Sequence, residues 1–265
     1  MRFFAVLLLA LTLILSLAAP ASANPFARDV DPQDIVDRAK DTLTRMAGHP
    51  DYPALRADLR NAHAVVIFPR VVRGGFFIGG SGGLGVALAW DEDEGDYGPL
   101  GFYSLGSVSF GVQIGGDAAE VVMVARRPDA RDSLFASSMR LGGDAEVAAG
   151  PVGAGRSASV NADFISYARA RGAYLGMSFE GSRLTVREDF NEAYYGEDLR
   201  PVHILDGRRV DHPGSHALRD ALLELRRDEV DEVDPAPTQG DADQRPDADP
   251  GKGGIRPDAM EVETL

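Results

Sequence analysis

The stretch Val71–Gly116 carries 14 of the chain's 30 glycines, and nothing else in the sequence restricts the fold as much. It runs VVRGGFFIGGSGGLGVALAW, then an acidic turn, then PLGFYSLGSVSFGVQIGG. Glycine loses more backbone entropy on ordering than any other residue. So many glycines among Phe, Ile, Val and Leu predict strands that bend sharply, or strands whose backbone something approaches closely. Another strand, a helix or a ligand each satisfies that requirement, and the residues alone leave the three open.

Around this stretch the local signals alternate between helix and strand. Asp31-Pro32-Gln33-Asp34 is a helix start, with Asp31 as N-cap and Pro32 in the first turn. Ile35, Val36, Ala39, Leu43 and Met46 then recur at helical spacing, and Gly48 closes the segment. The polar face mixes Asp37, Arg38, Lys40, Asp41 and Arg45, which predicts a helix packed on the domain over a cationic membrane-surface helix. A short helix follows over Pro53–Asn61. His63–Phe68 is an apolar, β-branched run, expected to end at Pro69. Val71–Ile78 and Leu84–Trp90 are expected as strands around a Gly79–Gly83 turn. Ser107–Ile114 alternates cleanly, and VVMVA within Asp117–Ala125 is a buried-type run. Pro128–Ser138 is expected as helix, Glu146–Ala149 and Ser157–Asn161 as short strands. Ile165–Arg169 and Ala173–Glu180 form a hairpin turning at Arg171-Gly172, and Glu188–Tyr195 and Gly214–Val233 are helical. The sum is an α+β fold: a strongly curved, mostly antiparallel, glycine-rich sheet with flanking helices.

Arg2, the apolar run Phe3–Ala19 and the small-x-small motif Ala21-Ser22-Ala23 form a signal peptide over 1–23, cleaved after Ala23. Removing Arg2 takes the formal charge from −14 to −15, and the expected location is the periplasm or cell envelope. With no cysteine in the chain, disulfides and thiolate chemistry are excluded. The acidic balance excludes nucleic acid as a partner, since phosphate backbones need a basic face. From Asp234 to Leu265 there are eight acids against three bases and almost no large apolar residues. Such a segment cannot bury enough surface to offset its ordering entropy and is expected to be a disordered acidic tail, open to an envelope protein partner.

Motifs for chemistry fail on context. Gly80–Gly85 fits G-x-G-x-x-G, and Gly153–Ala158 its looser form, but strands follow where a dinucleotide site needs a helix. Gly79–Gly83 fits a nucleophile elbow and fails the same test. Asp91, Asp93 and Gly95 match part of a calcium loop that lacks its terminal bidentate Glu. No cofactor, metal or catalytic residue is expected, and the chain reads as a non-enzyme. Arginines are the remaining candidates. Arg70, Arg73, Arg156, Arg169 and Arg171 all sit beside glycine-containing turns, where guanidinium forks and backbone amides can hold phosphate.

Five stretches together resemble the SYLF domain family: AVVIFPRVVRGG (64–75), FYSLGSVSFGVQIGG (102–116), LGGDAEVAAGPVG (141–153), ISYARARGAYLGMSFEG (165–181) and NEAYYG (191–196). The resemblance covers roughly 32–196 and leaves 197–233 as a C-terminal extension with one helix. It implies one lipid-binding domain, with phospholipids, phosphoinositides especially, as ligands. Membrane contact in that family is associated with an amphipathic N-terminal helix, here Asp31–Ala47, and with basic residues, here the five arginines as headgroup candidates. The alternative is a structural or protein-interaction module of the envelope with no lipid ligand.

Overall fold

Asp31 opens the first helix as the sequence predicts: its Oδ1 accepts a hydrogen bond from the Gln33 amide at 2.9 Å, and Pro32 fills the first turn. The computed structural model describes residues 30–75, 78–110, 115–151, 161–170, 173–174 and 179–227. Outside them lie the signal peptide expected at 1–23, the tail expected to be disordered from Asp234 on, the last four residues of the strand expected at 107–114, the strand expected at 157–161 apart from its last residue, and the turn expected at Arg171-Gly172.

Helices α1 (Pro32–Ala47) and α2 (Pro53–Arg60) precede strands β1 (Ala64–Gly75), β2 (Ile78–Asp91), β3 (Asp96–Tyr97), β4 (Gly101–Phe110) and β5 (Gly115–Ala125). The short helix α3 (Pro128–Ser133) leads to β6 (Ser138–Arg140), β7 (Val147–Ala149), β8 (Phe164–Ala170), β9 (Ala173–Tyr174) and β10 (Arg183–Val186). Helices α4 (Glu188–Tyr195), α5 (Pro201–Leu205) and α6 (Pro213–Arg227) complete the described chain. The strands form one sheet in the order β6-β10-β4-β2-β1-β5-β8-β7, with β3 beside β2 and β9 beside β8. Every pairing between these strands is antiparallel except β7 with β8 among the described residues.

The sheet is curled, and chain length shows why it must be. Seven Cα steps from Arg140 to Val147 carry the chain from one edge strand to the other, a reach of at most about 25 Å. Eight flat strands would stand about 34 Å apart edge to edge, so the sheet closes towards itself as a half-barrel. Leu184 of β10 and Phe164 of β8, near opposite edges, accordingly meet in one inner core with Phe68, Val71, Tyr103 and Met123. The alternate residues Val65, Ile67, Val86, Phe102, Val122 and Tyr167 face outward into a second core beneath the helices, with Leu43, Leu55, Phe190 and Leu222. Ile35, Val36, Ala39, Leu43 and Met46 of α1 are buried there. The apolar face of the helix implied for membrane contact is thus spent on the domain itself.

Two expectations along β1 and β2 are corrected. Pro69 does not end a strand. β1 runs through it, and three steps of β1, Ile67 to Arg70, match two of β2, Val86 to Leu84. That extra residue is a bulge, a position that tolerates a residue without an amide hydrogen. Gly79–Gly83 is not a turn. It pairs with Val71–Gly75 on one side and with Leu105–Ser109 on the other, and ladders on both flanks outweigh the low strand propensity of glycine. The bulge also explains part of the glycine density. A Cβ at Gly83 would stand 2.5 Å from the Arg70 carbonyl oxygen, and one at Gly85 would run into the Ile67 carbonyl. At these two positions the close neighbour is another strand. Further along, the expected Pro128–Ser138 helix stops at Ser133, and Ser138 begins β6.

Candidate functional site

The bulge at Pro69 turns Arg70 to the outer face of the sheet, opposite Leu84. Two strands away Arg169 pairs in register with Glu120 of β5, and both project from that face, since Val122 and Tyr167 two residues along are in the outer core. Helix α1 crosses beside them and contributes Arg38 and Arg45, seven residues apart and so on one side of the helix. Arg38, Pro69, Arg70, Ala118, Ala119, Glu120 and Arg169 line an open concavity of about 430 Å³.

Glu120 is the only carboxylate among the described residues lining it. Its Oε1 accepts from Arg45 Nη2 at 2.6 Å and from the buried Thr42 hydroxyl at 3.4 Å. Its Oε2 accepts from Arg169 Nη1 at 3.3 Å. Arg38 makes a loose 3.7 Å pair with Asp34, both side chains being well exposed, and such pairs contribute little. Arg70 has no carboxylate within ion-pair distance among the described residues. Tyr52 lies under the cluster and donates its hydroxyl to the Ala168 carbonyl at 3.2 Å. Burial pushes its pKa up to about 12, with Arg169 acting in the opposite direction and Glu120 and Asp51 adding to the rise.

Of the five arginines expected at a headgroup site, the structure brings Arg70 and Arg169 together. Arg73 lies on the other face. It is three residues beyond Arg70, shares its face with the inner-core residue Val71, and stands opposite Ser81 and Asp117. Partial burial lowers its pKa, and Asp117 opposes that shift. Arg156 and Arg171 lie outside the described residues. Arg38, Arg45 and Glu120 were missed as site residues. The signal in the sequence is the spacing of seven between the two arginines on α1, which puts both on one side of the helix.

The acidic loop after β2 has a different use. Asp91 pairs with Arg208 at 3.5 Å, and Asp96 with Arg219 at 2.6 Å, while Asp91 Oδ1 also accepts from the amides of Asp93 and Glu94. These carboxylates hold α6 and the turn before it against β2 and β3.

Fold and site together define an α+β domain with a basic surface concavity. Residues 106–225 match the sequence model of the Ysc84 family, described as Las17-binding protein actin regulator. An SH3 domain-containing protein of Schizosaccharomyces pombe is 33% identical over 157 residues, covering 57% of this chain and 36% of that protein. SH3 domain-containing YSC84-like protein 1 of Rattus norvegicus is 30% identical over 142 residues, covering 52% and 42%. LAS seventeen-binding protein 3 of Saccharomyces cerevisiae is 27% identical over 157 residues, covering 57% and 34%. The chain thus spans well under half the length of these relatives. Over residues 106–225 it matches the domain of the Ysc84, or SYLF, family.

Proposed function

We propose that this is a non-enzymatic phospholipid-binding domain that takes an anionic headgroup in the concavity between α1 and strands β1, β5 and β8. Export through the 1–23 signal segment would set it to work in the periplasm or cell envelope. One observation carries the reading: in a chain of formal charge −14, Arg38, Arg70 and Arg169 line one concavity with a single carboxylate, Glu120, which pairs with Arg169 and with Arg45 beside it. Arg70 is the group left for an incoming phosphate, and guanidinium suits phosphate because its planar fork offers paired donors. The bound phosphate would sit at a surface concavity, with the rest of the lipid remaining in its bilayer.

A second reading has support in the relatives, one of which is named for binding Las17. On it, the same basic concavity receives an acidic protein partner and no lipid.

Flotation of the purified protein with neutral and anionic vesicles at two salt concentrations separates the two. Salt-sensitive flotation with anionic vesicles alone is the expected result. Absence of flotation with either kind, together with no lipid in an organic extract of the protein, would leave the protein-binding reading.

A further inference from the structure

We infer that Glu120 is a resident carboxylate that screens ligands of this site, admitting a phosphomonoester and turning away a phosphodiester. The inference rests on the headgroup reading above and concerns the same concavity.

Glu120 is held where an anion would sit. Arg45 and Thr42 fix one of its oxygens and Arg169 the other, and its side chain is 21% exposed at the concavity. An entering ligand must therefore share Arg169 with a carboxylate that is always present, at an effective concentration in the millimolar range or above. A phosphodiester brings one negative charge and two free oxygens, which is what the carboxylate already supplies. Exchange gains nothing and places two anions side by side. A phosphomonoester brings a charge of about −1.5 to −2 and three acceptor oxygens. It can draw Arg169 from Glu120 and still engage Arg70, which no described carboxylate neutralises, and Arg38, whose pair with Asp34 is long and exposed.

A purely structural Glu120, tying α1 to the sheet through Arg45, predicts the opposite sign. Its removal would lower stability and leave binding unchanged or weaker. The screen predicts tighter binding and lost selectivity on the same change.

The experiment measures binding of the wild-type protein and Glu120→Gln to phosphatidylcholine vesicles containing phosphatidic acid, a monoester, or phosphatidylglycerol, a diester, matched in surface charge. The wild type is expected to prefer the monoester by about tenfold. Glu120→Gln is expected to bind the diester about fivefold tighter, with the preference compressed by the same factor. Glu120→Ser, a second neutral side chain, must act in the same direction if the glutamine variant folds poorly. An unchanged preference in both variants, or weaker binding to both lipids, overturns the inference. A parallel thermal-shift assay uses inorganic phosphate and dimethyl phosphate at about pH 8, where a phosphomonoester is dianionic. Selective stabilisation by inorganic phosphate that Glu120→Gln relaxes, without vesicle binding, sinks the lipid reading and keeps the screen. Equal binding of wild type to both vesicles keeps the lipid reading and sinks the screen. No response in any arm overturns both.

Discussion

Arg226 holds its guanidinium 3.7 Å from the centre of the Trp90 ring, so the last turn of α6 is clamped to the end of β2. The same side chain donates from Nη1 to the Ala62 carbonyl at 2.8 Å, and Tyr97 meets the Trp90 ring edge-on at 5.2 Å between centroids. Leu218 and Leu222 of the helix are fully buried against α1 and α2. Arg226→Ala removes a cation–π contact of about 0.5–2 kcal/mol and a hydrogen bond of about 1 kcal/mol. The expected loss is about 1–3 kcal/mol in urea unfolding, followed through the fluorescence of Trp90, the chain's single tryptophan. An unchanged midpoint would make α6 an appendage to the domain.

The glycines divide by what stands over them. Gly85 faces the Ile67 carbonyl and the Phe68 ring so closely that no Cβ fits, whereas Gly106 has nothing within 4 Å of its Cβ position. Gly85→Ala is expected to cost about 3 kcal/mol, because the obstacle is backbone and cannot turn aside. Gly106→Ala should lie within about 0.5 kcal/mol of wild type. Denaturation midpoints of the two variants decide the matter, and equal losses would refute the assignment of close packing to the bulge.

Local chemistry was legible and register was not. Asp31 and Pro32 declare a helix start within two residues, and the apolar run of β5 declares a strand, as do residues 107–110 of the alternating run. The bulge is a different case: proline signals interrupted pairing, but only the neighbouring strands show that β1 continues past it. Glu120 and Arg169 are 49 residues apart and become partners only once β5 pairs with β8. Arg70 and Arg73 could have been separated from the start. They are three apart in a strand, and a period of two places them on opposite faces. Closeness to glycine, which the two share, carries no such parity.

His63 supplies a pH dependence. It stands at the entry to β1, its amide bonded to the Ala125 carbonyl at 2.9 Å, with Glu92 3.5 Å from Nδ1. Burial lowers its pKa below the ordinary 6.5; Glu92 and Asp132 oppose this, while Arg131 and Arg226 add to it. The folded state therefore prefers neutral imidazole. Above about pH 6.5 both states are neutral and the contribution is fully present. As the pH falls through that value the unfolded chain takes up the proton first, and stability is lost until the folded-state pKa is passed. His63→Asn should flatten the stability profile between about pH 7.5 and 5 relative to wild type. Parallel profiles from denaturant titrations would exclude His63 as the cause.

Opposite faces give the headgroup assignment its sharpest test. Arg70 and Arg169 border the same outer concavity, while Arg73 points to the inner face beside Asp117. Each arginine near an anionic surface contributes about 1 kcal/mol, so Arg70→Gln and Arg169→Gln should each weaken binding to anionic vesicles about fivefold. Both should also flatten its salt dependence. Arg73→Gln should stay within about twofold of wild type, since the sheet and its inner core separate it from the concavity. Three vesicle titrations at one low and one moderate salt concentration give the answer. A loss with Arg73→Gln matching that with Arg70→Gln would move the site to the inner face. Losses confined to Arg70 and Arg169 would fix it between α1 and the outer surface of the sheet, where Glu120 already holds two of the four guanidiniums.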